Sequence, residues 1–235
     1  MTAAVLTGFE ATIALARLAL TRLLRGKALW FALGLGLLPS LLALAWRAGN
    51  AEVMTVWERS VTSYALVMTI IAPILVASSL SDEIDDRTAA YLWSRAVPRW
   101  TVVAGKLLAL APVVAVALVL GLTVSWALLG GPAAVPAEVF ARTALGLTAG
   151  AIGCSAVSAL IATLAPRFAV PVAVAWLLLF DATIGALDVG LHVVTVSFGV
   201  RAIAFGASGI SGPVSLLALT VLALALAIRR VDRIE

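Results

Sequence analysis

The chain has 235 residues, of which 63% are hydrophobic and 12% are charged, and its formal net charge is +4 at pH 7. Soluble domains carry about 25% charged residues, and a soluble fold of this length could not bury so much apolar surface. The composition therefore excludes a soluble protein and predicts a polytopic membrane protein. The basic residues lie at the ends of apolar stretches, so they do not form a nucleic-acid-binding face.

Residues 1–27 predict an N-terminal cytoplasmic helix that lies in the membrane interface. On a helical wheel Phe9 and Leu20 share an apolar side, whereas Glu10 and Arg17 share a polar side. This pattern is typical of interfacial helices. The acidic residue and the scattered basic residues also argue against a secretory signal.

Residues 28–235 predict a six-span transmembrane domain, so the expected fold class is all-α. A helix needs about 20 apolar residues to cross a bilayer. Segments that approach or exceed this length lie at about 28–46, 61–80, 101–129, 140–164, 168–187 and 213–228. Residues 47–60 are interpreted as a polar connection. The spacing of Gly146 and Gly150 allows close helix packing, either within the subunit or at a dimer seam.

Residues 188–212 are apolar, but glycines, His192 and Arg201 interrupt them. We expect one or two short helices here that re-enter the outer leaflet, because no uninterrupted apolar run is long enough for a span. Asp181 in the fifth span is a candidate intramembrane polar site, since ionisable groups at membrane depth are usually functional. The alternative is that it faces water at the base of the re-entrant segment or pairs with Arg201.

The distribution of basic residues predicts the orientation, because cytoplasmic loops of membrane proteins are enriched in Lys and Arg. When both termini are placed in the cytoplasm, four of the 16 basic residues lie outside, namely Arg47, Arg59, Arg142 and Arg201. The other twelve lie inside. This asymmetry predicts a multi-pass protein of the cell inner membrane or plasma membrane with cytoplasmic N and C termini.

Residues 81–106 form a polar stretch between the second and third spans. Acidic residues open it and basic residues close it. This order suits a helix, because such charges oppose the partial charges at the helix ends. Ser81 is a candidate N-cap, and Pro98 is expected to end the helix. The stretch therefore predicts a short helix at the membrane surface.

Residues 81–108 read S-D-E-I-D-D-R-T-x-x-Y-L-W-S-R-x-V-P-R-W-x-x-x-x-G-K-L-L. This string resembles the segment after the second span of ABC-2 type permeases, the membrane subunits of type-2 ATP-binding-cassette exporters. In that family the segment is the coupling helix that docks into the nucleotide-binding partner. The resemblance implies a cytoplasmic coupling helix at 81–95, which contacts the ATPase through Asp82, Glu83, Asp86, Arg87, Tyr91 and Trp93. The alternative is a solvated loop whose charges only fix the topology.

The resemblance also implies the partners. A separate ATP-binding-cassette ATPase subunit would bind ATP and Mg, with no cofactor on this chain. A second permease subunit, identical or different, would complete the assembly within the lipid bilayer. The chain would then be a permease subunit, not an enzyme, that couples ATP hydrolysis to substrate export. The apolar spans leave the substrate open.

Two other classes of function fit the sequence less well. An ATP-independent channel or carrier would be favoured by repeated half-sequences or by several intramembrane charges, and the sequence has neither. An intramembrane enzyme would need a converging catalytic set. The chain has no G-x-x-x-x-G-K-[ST] motif to hold ATP, and the lone Cys154 and His192 form no disulfide or metal pattern.

Overall fold

The computed structural model describes residues 8–85, 98–187, 190–206 and 209–232, and all the secondary structure in these ranges is helical. Within them, six helices are long and apolar enough to cross a membrane, which confirms the predicted all-α, six-span architecture. Spans 1 to 6 run over Lys27–Ala48, Val53–Ser81, Trp100–Leu128, Ala137–Leu164, Pro166–Gly185 and Ser211–Val231. An N-terminal helix, Gly8–Arg25, precedes span 1, and a short helix, Val196–Phe205, lies between spans 5 and 6.

Span 2 begins at Val53, which is earlier than predicted. The interpretation of residues 47–60 as a polar connection is therefore wrong for their second half. A helix accommodates the polar residues here: the hydroxyl of Ser60 donates to the carbonyl oxygen of Val56 over 2.7 Å. The charged side chains of Glu58 and Arg59 fall on the exposed side of this helix.

The N-terminal helix packs against span 3. A Cβ added at Gly105 would lie 2.9 Å from the carbonyl oxygen of Thr12, so the two backbones approach closely there. Leu23 is buried on the packed side, whereas Phe9 is 72% exposed on the other. A single residue, Gly26, separates this helix from span 1. The helix forms as predicted, and its location in a membrane interface stays a prediction.

Spans 1 and 3 contact one another at glycines. A Cβ at Gly36 would lie 2.6 Å from the carbonyl oxygen of Ala117, and one at Gly121 would lie 2.0 Å from the carbonyl oxygen of Gly36. Small residues allow such close approach between membrane helices. Because the obstructing atoms belong to the backbone, a larger residue at either position would force the two helices apart.

The short helix Val196–Phe205 packs against span 4 and span 6. A Cβ at Gly146 would lie 2.8 Å from the carbonyl oxygen of Val200, and one at Gly150 would lie 2.3 Å from its Cγ2 atom. The small residues of span 4 thus serve packing within the subunit. With 10 residues the helix is too short to cross a bilayer, as expected for this region. Its re-entry into the outer leaflet stays a prediction.

Candidate functional site

The connecting segment, residues 82–99 between spans 2 and 3, begins as a direct continuation of span 2. The helix Ser78–Asp85 follows the π-helical turn Pro73–Ala77 without a break. The start of the connecting segment is therefore helical and continuous with span 2.

The six predicted ATPase contacts are only partly within the described residues. Asp82 and Glu83 lie in the helix Ser78–Asp85, for which the backbone is described at these positions. The other four lie outside the described residues: Asp86, Arg87, Tyr91 and Trp93. The role of all six as a contact surface stays a prediction.

The chain enters span 3 after Pro98. The hydroxyl of Thr101 donates to the carbonyl oxygen of Pro98 over 2.6 Å, and the backbone N–H of Thr101 donates to the same oxygen over 3.1 Å. Pro98 lies just before the N-cap residue Arg99, so its missing N–H costs the helix no hydrogen bond. The two ends of the connecting segment are thus fixed to spans 2 and 3.

Lys106 of span 3 links these two spans close to the ends of the connecting segment. Its side chain is buried, and its ammonium group donates to the carbonyl oxygen of Ser79. Lysine is almost never buried unless it is paired, so this contact fits its environment. Sequence reasoning grouped Lys106 with the basic end of the polar stretch and missed the contact. The sequence does contain a signal for this contact: Lys106 is an ionisable residue at the start of a long apolar stretch, where such residues usually have a partner.

A π-helical turn, Pro73–Ala77, interrupts span 2 close to the connecting segment. It packs against spans 4 and 5, and its Val76 and Ala77 are fully buried. Proline lacks the N–H that a regular helix needs at this point and accounts for the irregularity. π-Helical turns occur frequently at functional sites, and this one lies between the connecting segment and the interior of the bundle.

Asp181 ends a second π-helical turn, Trp176–Asp181, in span 5, and it is buried. Its carboxylate accepts hydrogen bonds from the backbone N–H of Val196 over 2.6 Å and of Ser197 over 3.0 Å, and from the hydroxyl of Ser197 over 2.5 Å. These N–H groups belong to the first turn of the short helix, where no intrahelical partner exists. The carboxylate therefore holds the start of the short helix against span 5.

Both expected alternatives for Asp181, water at the base of the re-entrant segment and pairing with Arg201, stay predictions. Among the described residues Arg201 lies beyond ion-pair distance of Asp181 but still interacts with its carboxylate electrostatically, and Asp181 is 6% exposed. The direct donors to the carboxylate come from the positive end of the short helix. A role for Asp181 in transport stays a prediction.

At the other end of the bundle, an open cleft of about 800 Å³ lies between span 1, span 2 and the short helix. Charged and aromatic side chains line it, including Glu58, Arg59 and Arg201. The guanidinium group of Arg59 lies 6.0 Å from the ring centroid of Trp46, within the range of a cation–π contact. This cleft is one polar feature of the bundle end opposite the connecting segment.

Comparison with known proteins gives one family. A family model described as "ABC-2 family transporter protein" matches residues 20–182, which is more than half of the chain. The matched range includes spans 1 to 4, the connecting segment and Asp181. No curated protein matches the chain.

Proposed function

The chain belongs to the ABC-2 transporter family and is an ABC transporter permease, and we propose that it couples ATP hydrolysis by a separate ATPase subunit to export of a substrate. The observation that carries this proposal is the family match over residues 20–182. ATP and Mg would bind to the partner chain. Two permease subunits, identical or different, would enclose the path through the membrane.

The coupling helix at 81–95 would receive the motion of the ATPase. The continuity of span 2 with the start of the connecting segment supports this role, because a displaced segment would move span 2 with it. The contact between Lys106 and Ser79 would pass the same displacement to span 3. Anchoring charges and a rigid aromatic side chain are the groups a docking surface needs, and residues 82–93 supply both in sequence.

The π-helical turn Pro73–Ala77 offers a place where span 2 can change shape. It packs against spans 4 and 5, so a rearrangement of its hydrogen bonds would reach the interior of the bundle. Packed helices switch between discrete arrangements more readily than they deform continuously. This is the route by which we connect ATPase closure to a change in the spans.

The proposal is tested by co-expressing the chain with an ATP-binding-cassette ATPase encoded by a neighbouring gene. The two chains should purify together, and the complex in lipid vesicles should hydrolyse ATP, whereas the permease alone should not. ATP turnover by the purified permease alone would contradict the division of labour between the two chains. Substrate movement without any ATPase would instead favour an ATP-independent channel or carrier.

A further inference from the structure

A cavity of about 240 Å³ lies where the N-terminal helix meets spans 2 and 3. Its walls are mostly apolar, with leucines from the N-terminal helix and Ile74 and Leu75 from span 2. Among the described residues, its polar side chains are Arg22, Lys106 and two serines. The cavity is far larger than one water molecule needs, and it combines apolar walls with basic groups.

Arg22 supplies the accessible positive charge of this cavity. Its side chain is exposed, and among the described residues it has no acidic partner within ion-pair distance. Lys106 lines the same cavity from span 3, where its ammonium group contacts the carbonyl oxygen of Ser79. Arginine presents a planar fork of donors that matches the oxygens of a phosphate. The chemistry of the cavity therefore fits an anion that also carries apolar groups.

The cavity lies at one end of the bundle, at the level where the spans begin and end. Ala28 is at the start of span 1, Ser79 is near the end of span 2, and Val102 is near the start of span 3. Exposed Arg25 and Lys27 lie beside it in the chain. Clusters of basic residues next to membrane spans attract anionic lipids. A lipid headgroup would reach this position from the membrane surface.

We infer that this cavity binds the phosphate of an anionic phospholipid, with Arg22 as the principal donor and the leucine side chains against the adjoining apolar part of the lipid. Such a lipid would bridge the N-terminal helix and the end of span 2, directly beside the connecting segment. A free phosphate ion would use Arg22 equally well but would gain nothing from the apolar walls. The apolar lining therefore favours the lipid over the ion.

The test measures phosphatidylglycerol binding to the purified full-length chain in detergent by native mass spectrometry. Arg22→Gln should weaken binding by about tenfold, which is the usual scale for losing one charge-assisted hydrogen bond. Arg17→Gln is the matched control, because Arg17 is an exposed arginine on the same helix that neither lines the cavity nor belongs to the basic residues beside it. It should leave the affinity nearly unchanged. Equal loss in both variants would overturn the site, because it would reduce the effect to general attraction by basic residues.

Two further arms identify the occupant. Ala19→Leu places a larger apolar side chain at the cavity wall without changing any charge, and it should also weaken phosphatidylglycerol binding. Phosphatidylcholine should bind markedly less well than phosphatidylglycerol, and inorganic phosphate at millimolar concentration should not compete. If inorganic phosphate competes with phosphatidylglycerol, and the Ala19→Leu variant binds phosphatidylglycerol as well as the parent chain does, the lipid assignment would be overturned in favour of a simple anion site. Equal binding of both lipids would overturn the requirement for negative charge.

Discussion

At the scale of single residues, two buried ionisable side chains each bind backbone groups of another helix. Lys106 of span 3 donates to the carbonyl oxygen of Ser79, and Asp181 of span 5 accepts from the first turn of the short helix. The partners are 27 and 15 residues away in the chain. These contacts therefore depend on how the helices pack together, which cannot be predicted from the pattern of a single sequence. What the sequence did indicate, for Asp181, was an ionisable group at membrane depth.

Lys106→Met tests the contact between spans 2 and 3. The substitution keeps an unbranched side chain but removes the donor to Ser79, and we expect a loss of about 1–3 kcal/mol in the free energy of unfolding. Unfolding in sodium dodecyl sulfate, followed by tryptophan fluorescence, would measure it. Lys27→Met is the control, because it removes the same charge from an exposed position. Equal effects of the two substitutions would show that the contact with Ser79 contributes nothing specific.

Asp181→Ala tests the attachment of the short helix to span 5. It leaves two backbone N–H groups without their acceptor, so hydrogen exchange within Val196–Phe205 should become faster by about tenfold or more. Asp181→Asn keeps one acceptor oxygen and should give an intermediate rate. Mass spectrometry of exchanged peptides would measure both. The control is Glu52→Ala, at an exposed position before span 2, which should leave hydrogen exchange within Val196–Phe205 unchanged. If Glu52→Ala increased this exchange as much as Asp181→Ala does, Asp181 would not be a local cap of the short helix.

At the scale of helices, apolar length predicted the six spans, and the structure confirms them. The start of span 2 was missed because its first turns contain polar residues, whose burial or exposure depends on which face meets the bundle. The two π-helical turns were also missed. Pro73 accounts for the irregularity in span 2, but nothing local marks the turn Trp176–Asp181, whose geometry depends on the helices around it. The most specific sequence resemblance falls on residues 82–97. The structure does not describe the side chains of these residues.

Gly36→Ala tests the close contact between spans 1 and 3. The added methyl group would lie 2.6 Å from the carbonyl oxygen of Ala117, so the helices must separate, and we expect a loss of about 1–3 kcal/mol in stability. Gly34→Ala is the control, because a Cβ at Gly34 meets no atom within 4 Å. It should be neutral or slightly stabilising, since alanine favours helix more than glycine. Unfolding in sodium dodecyl sulfate compares the two, and equal stability would contradict the packing.

At the scale of the whole molecule, the excess of basic residues at one end of the bundle predicts the orientation. With Cys154 replaced, a cysteine at Ala133, which is exposed between spans 3 and 4, should react with an impermeant thiol reagent on intact cells. A cysteine at Ser94, in the connecting segment, should react only after lysis. Labelling of the Ser94 position on intact cells would reverse the orientation and place the connecting segment away from any cytoplasmic ATPase.

The central claim is that the connecting segment receives an ATPase, and one double substitution tests it most directly. Asp86→Ala with Arg87→Ala removes two predicted contacts, while the spans keep their own backbone hydrogen bonds. The variant should therefore express and purify as the parent chain does. Its affinity for the ATPase, measured by co-purification over a range of ATPase concentrations, should fall by about tenfold or more, because charged contacts at an interface are worth about 1–3 kcal/mol each.

The control changes the same two residue types at the other end of span 2. Glu58 and Arg59 are both exposed there, and Glu58→Ala with Arg59→Ala should leave ATPase affinity unchanged. A selective loss in the Asp86 and Arg87 variant is the result expected for a docking helix between spans 2 and 3. Undiminished affinity in that variant, or equal loss in both, would contradict it.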